Sequence, residues 1–476
     1  MPFEDLRAFL AHLEKTGELV RVPVEVDPRF EIGAICRKTL AEGGADGNPT
    51  LFFEQVRGTR VPVVANVLTA PRRYYMALET TPETFRTEYF RRCAHPIPAE
   101  TVRDAPCQEV VCMGPDVDLM RLPIPTWNAG DGGPYITIPS VIMRRPGTHE
   151  HNTGTYRMQV YGPNRVGIYA APYREIARAA IAAHRRGEAF PVALAIGVDP
   201  AVLIATIAPF APGVDEFAMA GALRGAPVHL VECLTQPVSV PAAAEIVLEG
   251  EFRPGDEALE GPFGEFTGYY GEARPRPVIT ITAMTHRRDP IFHGEYEGRP
   301  PTCESVTQII PHEAEILRLV TLPGLKDIYM PLGGAMFLAI AVIEKAYAGH
   351  ERALALAILA TPSGRWIKTL ILVDADINPR NSTEVEWALG TRFQPAHGIQ
   401  VLHDMTGVYL DPSLDEAEKQ SYASRTGKLI IDATKPVHRP FAKECLPPQE
   451  VLEAVAARWE QYGLGRGMSR PKGSTS

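Results

Sequence analysis

The sequence lacks the features of several large classes of protein. No apolar run approaches the roughly 18 residues that a membrane-spanning helix needs. The net charge is −9 and no lysine-rich block is present, which argues against nucleic acid or an anionic membrane surface as a partner. The seven cysteines are scattered and include no Cys-x-x-Cys pair, so we expect reduced thiols in a cytoplasmic protein rather than disulfides or a zinc site.

Motifs of common nucleotide and nucleophile sites are also missing. The chain has no Walker loop, no Gly-x-Gly-x-x-Gly after a strand and no Gly-x-Ser-x-Gly. ATP, a dinucleotide in a Rossmann site and a serine nucleophile therefore lack support.

The 476 residues are enough for two or three domains, and the hydrophobic pattern changes along the chain. Residues 1–112 mix helical spacing with alternating valines and predict a small α/β domain. Residues 113–310 contain many short, mostly antiparallel strand candidates, among them 136–143 and 156–161, and predict a barrel-like domain. A turn at Arg287 is expected to lead into a hairpin strand at 291–296.

The last third of the chain returns to alternating strands and helices. A helix is predicted over 311–322, with Pro311 in its first turn. Residues 323–476 predict a second α/β domain, so the fold class is α/β (α+β). The final amphipathic helix, at 447–462, is expected to pack on a neighbouring domain or subunit, and the last dozen residues are expected to be disordered.

Two carboxylates frame a turn at Glu260-Gly261-Pro262-Phe263-Gly264-Glu265. The Gly-Pro and Phe-Gly pairs between them are strong turn signals, and a tight turn can direct both acids into one cleft. Burial there would raise at least one carboxyl pKa, as a carboxylic acid needs in order to donate a proton near neutral pH. The alternative is a surface turn with two solvated acids.

Three upstream side chains are candidates for binding charge. Arg157 leads into a predicted strand, and on the inner face of a barrel it would need an anionic partner, either a glutamate or a substrate carboxylate. Glu216 is a candidate cation ligand, although a helix N-terminal acid is an equally good interpretation. Asn152 alone carries no signal.

Other acidic and histidine clusters are weaker candidates. His149-Glu150-His151 resembles a metal pair on a strand, but no third ligand has suitable spacing. Asp374 and Asp376 follow a hydrophobic strand and are best interpreted as a loop that caps a helix. A metal-dependent hydrolase that uses the acid pair of the 260–265 turn remains an alternative function.

Taken together, these segments resemble the UbiD family of reversible decarboxylases, which use prenylated FMN. The shared segments are NTGTYRMQ at 152–159, GVDEFAMAGA at 213–222, VPAAAEIVLEG at 240–250, EGPFGEFTGYY at 260–270, YEGRPP at 296–301 and GKLIIDAT at 427–434. They occur in the family's order and at its spacing, and the resemblance runs from about residue 3 to about residue 462.

The resemblance implies an N-terminal α/β domain, a split β-barrel that binds the flavin, a connecting helix and a C-terminal α/β domain that mediates oligomerisation, usually into homodimers or homohexamers. It implies reversible non-oxidative decarboxylation of an aromatic, heteroaromatic or α,β-unsaturated carboxylic acid, with release of CO2 and with a flavin prenyltransferase as supplier of the cofactor. A non-catalytic flavin-binding or assembly subunit of the same fold is the alternative.

The resemblance also implies roles for individual residues. Arg157 matches the catalytic arginine near the flavin and the substrate carboxylate, Glu260 the glutamate that binds this arginine, and Glu265 the acid that donates a proton after CO2 leaves. Asn152 and Glu216 match ligands of a divalent cation, usually Mn²⁺, with K⁺ often nearby. The remaining matches are flavin-lining residues and a lysine near the phosphate: Thr155, Tyr156, Arg157, Tyr169, Ala170, Ala171, Arg174 and Lys428.

The chain departs from the family at one position. Many members have a histidine metal ligand soon after the catalytic arginine, whereas this chain has Tyr173 or Arg174 at about that place. Either water completes the metal shell, or Arg174 contacts the phosphate directly and the metal binds more weakly. The pocket-lining stretch after Arg299 is expected to include Glu304 and Gln308, whose polarity favours a polar or heteroaromatic acid over a cinnamate-like acrylate.

Overall fold

The computed structural model of the chain describes residues 3–171, 173–419 and 424–463. The predicted disorder of the last dozen residues lies outside this range. The helices are Leu6–Lys15, Glu31–Gly47, Pro71–Ala77, Phe85–Cys93, Glu175–His184, Pro200–Ile207, Glu216–Arg224, Cys303–Leu319, His350–Leu359, Ser382–Thr391, Pro395–Gly398, Glu416–Lys419 and Gln449–Ala457. Among these described helices, none is both long and apolar enough to cross a membrane.

The first sheet combines three strands from the N-terminal domain with one short strand that follows the central sheet in sequence. Its strands, in spatial order, are Leu19–Val26, Thr50–Val56, Val63–Ala65 and Phe292–His293. The last strand pairs in parallel with Val63–Ala65, so the predicted hairpin at 291–296 is wrong. Strand pairing across the fold outweighs the local turn signal here, and it fixes the chain just after the central sheet to the N-terminal domain.

The central sheet is an antiparallel half-barrel. In spatial order its main path is Tyr135–Ile136, Met158–Gly162, Arg165–Ile168, Arg274–His286, Ile246–Glu260, Phe190–Ile196, Ser140–Arg144 and His151–Thr155, and Val110–Met113 adds to Arg274–His286. The predicted continuous strands at 136–143 and 156–161 are therefore wrong in their bounds.

Arg157 lies at the seam of this half-barrel. The strands His151–Thr155 and Met158–Gly162 lie toward opposite ends of the sheet path, yet only two residues connect them. Such a link spans at most about 11 Å, so the sheet must curl until its edges approach. The prediction that Arg157 lies within a strand is thus corrected, because the arginine projects from the gap between two edges.

The connecting helix runs over Cys303–Leu319 and begins eight residues earlier than predicted. The Thr302 side chain accepts a hydrogen bond from the Ser305 amide and caps its N-terminus. Pro311 lies inside the helix, where it costs one backbone hydrogen bond. The early cap therefore prevails over the preference of proline for the first turn.

The C-terminal domain is a mixed five-stranded sheet. Its order is Leu325–Tyr329, Leu338–Ile343, Thr369–Asp374, Arg425–Asp432 and Ile399–Thr406, with parallel pairs in the centre and antiparallel pairs at both edges. This arrangement confirms the predicted α/β character. The terminal helix Gln449–Ala457 has no buried residue within the chain.

The structure also contains two small sheets and several 3-10 turns. A three-stranded sheet orders Ser239–Pro241, His229–Glu232 and Glu100–Thr101, and a two-stranded piece pairs Phe263–Gly264 with Tyr270–Gly271. The 3-10 turns are Pro106–Gln108, Gly114–Asp116, Leu119–Arg121, Leu332–Gly334, Ser363–Arg365 and Trp459–Tyr462.

Candidate active site

The turn after the long strand Ile246–Glu260 positions two carboxylates. Gly261 has a φ of +101°, which glycine adopts readily, and a Cβ there would lie 3.0 Å from the Ala273 Cα. The Gly261–Pro262 peptide bond is cis. After the turn, Phe263–Gly264 pairs with Tyr270–Gly271, and Glu265 follows directly. The strand end and this small hairpin therefore hold Glu260 and Glu265 at fixed places.

Both carboxylates bind one guanidinium. Arg157 Nε donates to Glu260 Oε1 at 3.0 Å and Nη2 donates to Glu260 Oε2 at 3.2 Å, in a bidentate pair. Arg157 Nη1 donates to Glu265 Oε1. The three side chains are only 8%, 1% and 7% exposed, respectively. The structure thus brings the three predicted catalytic residues together as one buried cluster, here called the Arg157 triad.

Burial and charge set the protonation of this triad. Burial raises the pKa of Glu265 to about 7, although the Arg157 charge acts in the opposite direction. For Arg157, burial would lower the pKa, but the charges of Glu265 and Glu260 outweigh it and raise the pKa well above its usual value. The arginine stays charged, and Glu265 can carry a proton near neutral pH.

Polar neighbours that the sequence did not suggest support Glu260. The Tyr135 hydroxyl lies 3.2 Å from Glu260 Oε1 and 3.0 Å from Gln159 Oε1, which also accepts from the Gly261 amide at 2.8 Å. Burial, together with the charge of Glu260, raises the pKa of Tyr135, so the phenol remains a donor. Gln159 was part of the recognised 152–159 segment but had no assigned role, and no local signal pointed to Tyr135.

Asp131 is a further acid that sequence analysis missed. Its Oδ1 accepts from the Gly264 amide at 2.9 Å and its Oδ2 from the Asn128 amide at 2.8 Å, so it holds the turn from the outside. Burial raises the pKa of Asp131 to about 6. Its negative charge also contributes to the raised pKa of Glu265.

Aromatic rings surround the exposed side of the guanidinium. The Arg157 Cζ lies 4.4 Å from the centroid of Tyr169 and 5.3 Å from that of Phe263. Tyr169 in turn contacts Tyr409 of the C-terminal domain, with centroids 5.3 Å apart. The triad therefore faces the junction between the central and C-terminal domains.

Asn152 and Glu216, the predicted metal ligands, lie against each other. Asn152 Nδ2 donates to Glu216 Oε1 at 3.0 Å, and the Thr153 amide donates to Glu216 Oε2 at 3.1 Å. Arg145 Nη2 lies 3.8 Å from Glu216 Oε2. Burial raises the pKa of Glu216 to about 7. Glu216 is the first residue of the helix Glu216–Arg224, which confirms its interpretation as a helix N-terminal acid, and its role as a metal ligand stays a prediction.

A third protein ligand is not evident. Within residues 3–171, 173–419 and 424–463, no group of three His, Cys, Asp or Glu side chains is placed to hold a metal ion. The Tyr173 hydroxyl accepts from Arg365 Nη2 at 2.9 Å. Arg174 is exposed at the start of the helix Glu175–His184. Any metal at the Asn152–Glu216 pair would thus depend on ligands from outside these side chains.

The predicted flavin-lining residues fit a large polar ligand. The Thr155 and Thr153 hydroxyls are buried and lack a hydrogen-bond partner among the described residues, although buried polar groups are almost always paired. Tyr156, Tyr169 and Ala170 stay partly exposed around the buried Arg157 triad, whereas Ala171 is buried. These two hydroxyls and the partly exposed rings are groups that could hydrogen-bond and pack against a bound flavin.

Lys428 has other partners than a phosphate. Its ammonium group donates to the carbonyls of Gly364 at 2.9 Å, Arg365 at 3.1 Å and Ile367 at 2.7 Å. Burial lowers the pKa of Lys428 to about 8. These three bonds use all the donors of a lysine, so they would have to break before Lys428 reached a phosphate, and that role stays a prediction.

Glu304 and Gln308 form the polar face of the connecting helix near the triad. They stay partly exposed while Cys303, Ser305 and Val306 beside them are buried. Gln308 Nε2 donates to Glu304 Oε1. Burial and the nearby Glu265 charge raise the pKa of Glu304, so these two side chains offer hydrogen bonds rather than a strong charge.

The weaker sequence candidates have structural partners. The His151 ring lies 5.7 Å from that of Phe217, and burial lowers the pKa of His151. Arg392 Nη1 donates to Asp374 and Asp376, both at 2.7 Å. The two aspartates thus hold an arginine at a strand end, and they are not helix caps.

The sequence matches three models of the 3-octaprenyl-4-hydroxybenzoate carboxy-lyase (UbiD) family. The N-terminal domain model covers residues 10–93, the Rift-related domain model residues 100–300, and the C-terminal domain model residues 305–433. Together they match most of the chain, including the Arg157 triad and the Asn152–Glu216 pair.

Solved structures of UbiD-class enzymes resemble the whole chain. HmfF from Pelotomaculum thermopropionicum, in complex with FMN, is 38% identical over 95% of this chain and 99% of its own, with a TM-score of 0.84. Vanillic acid decarboxylase from Sedimentibacter hydroxybenzoicus, in an open form, is 32% identical over 98% and 100%, with a TM-score of 0.86. The 3,4-dihydroxybenzoic acid decarboxylase from Enterobacter cloacae is 29% identical over 96% and 100%, with a TM-score of 0.83. The chain is therefore an enzyme of the UbiD carboxy-lyase family.

Proposed function

We propose that the chain catalyses reversible, non-oxidative decarboxylation of an aromatic, heteroaromatic or α,β-unsaturated carboxylic acid with prenylated FMN. The observation that carries this proposal is the buried Arg157 triad, in which an always-charged arginine faces a glutamic acid with a pKa of about 7. The relatives support the reaction class, since they are UbiD-class enzymes that include decarboxylases of vanillic acid and 3,4-dihydroxybenzoic acid.

The chain's own residues would hold the cofactor at the domain junction. Thr155, Tyr156, Tyr169 and Ala170 would line it, and the unpaired Thr155 hydroxyl would gain a partner. Prenylated FMN, when bound, supplies the electron sink that decarboxylation needs and that no side chain provides. HmfF, for which FMN and prenylated-FMN complexes are known, supports this assignment.

Arg157, Glu260 and Glu265 would bind the substrate, orient the guanidinium and donate the proton, respectively. A guanidinium has five N–H groups, and Arg157 uses three of them within the triad, which leaves two for a substrate carboxylate. Glu260 fixes the plane of the guanidinium through its bidentate pair. Glu265 carries the proton that replaces the departing CO2 on carbon.

A divalent cation, most simply Mn²⁺, would bind at the Asn152–Glu216 pair and bridge the chain to the cofactor phosphate, with K⁺ nearby. Carboxylate and amide oxygens suit such hard cations. Because the protein offers two ligands, water and phosphate would complete the shell. Arg174, which is exposed, would add a direct charge contact to the phosphate.

The pocket favours a polar ring. Glu304 and Gln308 would lie along the substrate and pair with a ring N–H or hydroxyl group, as in pyrrole-, furan- or indole-like acids or hydroxybenzoates. A plain acrylate would cover these polar groups without offering them a hydrogen bond in place of water, which is costly.

The proposal extends to partners. A flavin prenyltransferase would supply the cofactor, and the chain would assemble as a homodimer or homohexamer through its C-terminal domain. The exposed apolar side chains of the terminal segment, such as Val451 and Trp459, support such an assembly. An evolved form of HmfF is dimeric, which shows that this fold can assemble in pairs.

The decisive variant is Glu265→Gln. It keeps the shape of the site but removes the proton donor, so prenylated FMN should remain bound while CO2 release is abolished. The matched control is Glu251→Gln, on the same strand as Glu260 but paired with the exposed Arg253. Protein co-expressed with the prenyltransferase gives the cofactor mass, and a panel of aromatic acids gives CO2 release. Turnover by Glu265→Gln, or an active protein without flavin, would contradict the proposal.

A further inference from the structure

A large cavity lies against the face of the connecting helix opposite Glu304 and Gln308. Its volume is about 340 Å³, and pockets that bind drug-sized ligands measure about 300–1,000 Å³. The helix contributes Ile310, Glu313 and Ala314 to the wall. Glu313 follows Glu304 by nine residues, or about two and a half helical turns, so the two side chains project in opposite directions. The cavity is therefore separate from the proposed substrate site.

Both outer domains of the chain form the rest of the wall. The N-terminal domain contributes Tyr75, Phe85 and Arg86, and the C-terminal domain contributes Asp327 and Arg380. The Tyr75 and Phe85 rings lie with their centroids 5.4 Å apart, and Phe85 is buried. The cavity thus has an aromatic floor and a charged rim, and a ligand inside it would contact both domains at once.

The charged rim consists of two guanidinium groups that share one carboxylate. Arg380 Nη1 donates to Asp327 Oδ2 at 2.6 Å, and Arg86 Nη2 donates to Asp327 Oδ1. Among the residues that the structure describes, neither arginine side chain donates another hydrogen bond, although each guanidinium has five N–H groups. The rim therefore carries one excess positive charge and free N–H groups, which suit a carboxylate. Glu83, also at the rim, is exposed, and solvent screens its charge.

Glu313 offers an open hydrogen-bonding atom deeper in the cavity. The residue is 9% exposed, and its Oε1 accepts from the Met330 amide at 2.7 Å. Its Oε2 has no hydrogen-bond partner within the described ranges, and the nearest cationic atom there, Arg380 Nη2, is 3.9 Å away. Burial also raises the pKa of Glu313 to about 7. Because buried polar groups are almost always paired, this oxygen suits a ligand that carries a hydroxyl or N–H group.

We propose that this cavity is a second binding site, which takes a small aromatic acid that also carries a hydroxyl or N–H group. The ligand carboxylate lies between Arg86 and Arg380, the ring packs on Phe85, and the hydroxyl donates to Glu313. The bound acid ties the N-terminal domain to the C-terminal domain behind the connecting helix. This assignment uses the cavity residues alone and does not rest on the proposed reaction.

The test is equilibrium dialysis of radiolabelled 4-hydroxybenzoate against the cofactor-loaded Glu265→Gln variant, which should not consume the ligand. We expect one class of binding, at one molecule per chain, that weakens at least about tenfold when Arg380→Gln is added, because a charge-assisted hydrogen bond is lost. The matched control adds Arg318→Gln instead. Arg318 is an exposed arginine of the connecting helix that pairs with Glu315 outside the cavity, so its loss should leave binding unchanged.

A second variant and two further ligands sharpen the test. Ala314→Leu fills part of the cavity without changing a charge, and it should weaken the same class of binding in protein that urea denaturation shows to be folded. Benzoate lacks the hydroxyl and phenol lacks the carboxylate, so each should bind in the cavity about fivefold more weakly than 4-hydroxybenzoate.

The outcomes separate this site from the proposed reaction. Absence of binding, or binding that neither Arg380→Gln nor Ala314→Leu weakens, would overturn the second site, whether or not the wild-type enzyme releases CO2. Binding that depends on Arg380, in an enzyme that releases no CO2 from any acid, would support the second site and count against the proposed reaction alone.

Discussion

Glu265 and Glu216 are two buried glutamates whose pKa is raised to about 7 by burial, yet they have different neighbours. Glu265 binds a guanidinium that Glu260 also holds from the other side. Glu216 accepts from two neutral groups, the Asn152 amide and the Thr153 amide, and its nearest cation is 3.8 Å away. The same desolvation thus acts on an acid with a close charged partner and on one without.

This difference indicates at which of the two sites the charged groups are already paired by protein side chains. In the Arg157 triad, every oxygen–cation contact needed to fix the guanidinium is already made by protein groups. At the Asn152–Glu216 pair, the carboxylate would gain a strong partner only if the proposed cation bound there. The triad should therefore be rigid and independent of ligands, whereas the pair should change its properties with metal and cofactor.

The largest effect is expected from Arg157→Met, which removes the ion pairs of the Arg157 triad. Removal of one partner from a buried ion pair costs about 3–5 kcal/mol, because the carboxylates stay buried without a counter-charge. Turnover should be lost and the free energy of unfolding in urea should fall by this amount. The matched control is Arg186→Met, which removes an exposed pair with Glu188 and should leave the free energy of unfolding nearly unchanged, because solvent screens such pairs. Equal destabilisation by both variants would contradict a buried triad.

The second prediction concerns pH. Glu265 must be protonated to donate, and its pKa of about 7 lies above that of an ordinary glutamate, so activity should fall as pH rises through about 7. Above that value the rate should drop about tenfold per pH unit, as the protonated fraction does. The profile of CO2 release at saturating acid checks this. The same alkaline limb should persist in Glu216→Gln. If it disappears in that variant, the limb reports the ionisation of Glu216 and not that of Glu265.

The sequence located the turn that carries Glu260 and Glu265 better than the contacts around that turn. The Gly-Pro and Phe-Gly signals around Glu260 and Glu265 are local, and a turn that brings both acids together follows from them. Tyr135 is 125 residues from Glu260 in sequence, so its contact arises only when the half-barrel curls. No spacing rule identifies such a partner in a single sequence.

Element boundaries failed where a distant contact prevailed over a local preference. Pro311 suggested a helix start, but the Thr302 cap begins the helix earlier. Phe292–His293 was expected in a hairpin and instead pairs with the N-terminal sheet. In the C-terminal domain the strand Thr369–Asp374 and the helix Ser382–Thr391 follow local signals, namely an apolar run and the Asn381 cap.

The third prediction tests whether the carboxylate of the Asn152–Glu216 pair binds a metal ion. Glu216→Gln keeps the hydrogen-bonding shape but removes the charge, and hard cations prefer carboxylate oxygen. Mn²⁺ affinity of the flavin-loaded protein should weaken by at least about tenfold, while its free energy of unfolding without metal should change little. Manganese electron paramagnetic resonance measures the first and urea denaturation the second. Glu251→Gln serves as the control, and unchanged Mn²⁺ binding by Glu216→Gln would remove Glu216 from the metal site.

The smallest effect is expected from Arg174→Gln. Arg174 is exposed, so a contact from it to the cofactor phosphate is screened by solvent and should change FMN affinity only about threefold to fivefold at low salt. Arg178→Gln is the matched control, because Arg178 is an exposed arginine one turn further along the same helix. Flavin fluorescence titrations at low and high salt should show that Arg174→Gln weakens both FMN affinity and its salt dependence, whereas Arg178→Gln leaves them unchanged. If the two variants behave alike, general positive charge rather than a phosphate contact explains the loss, and the metal alone must hold the phosphate.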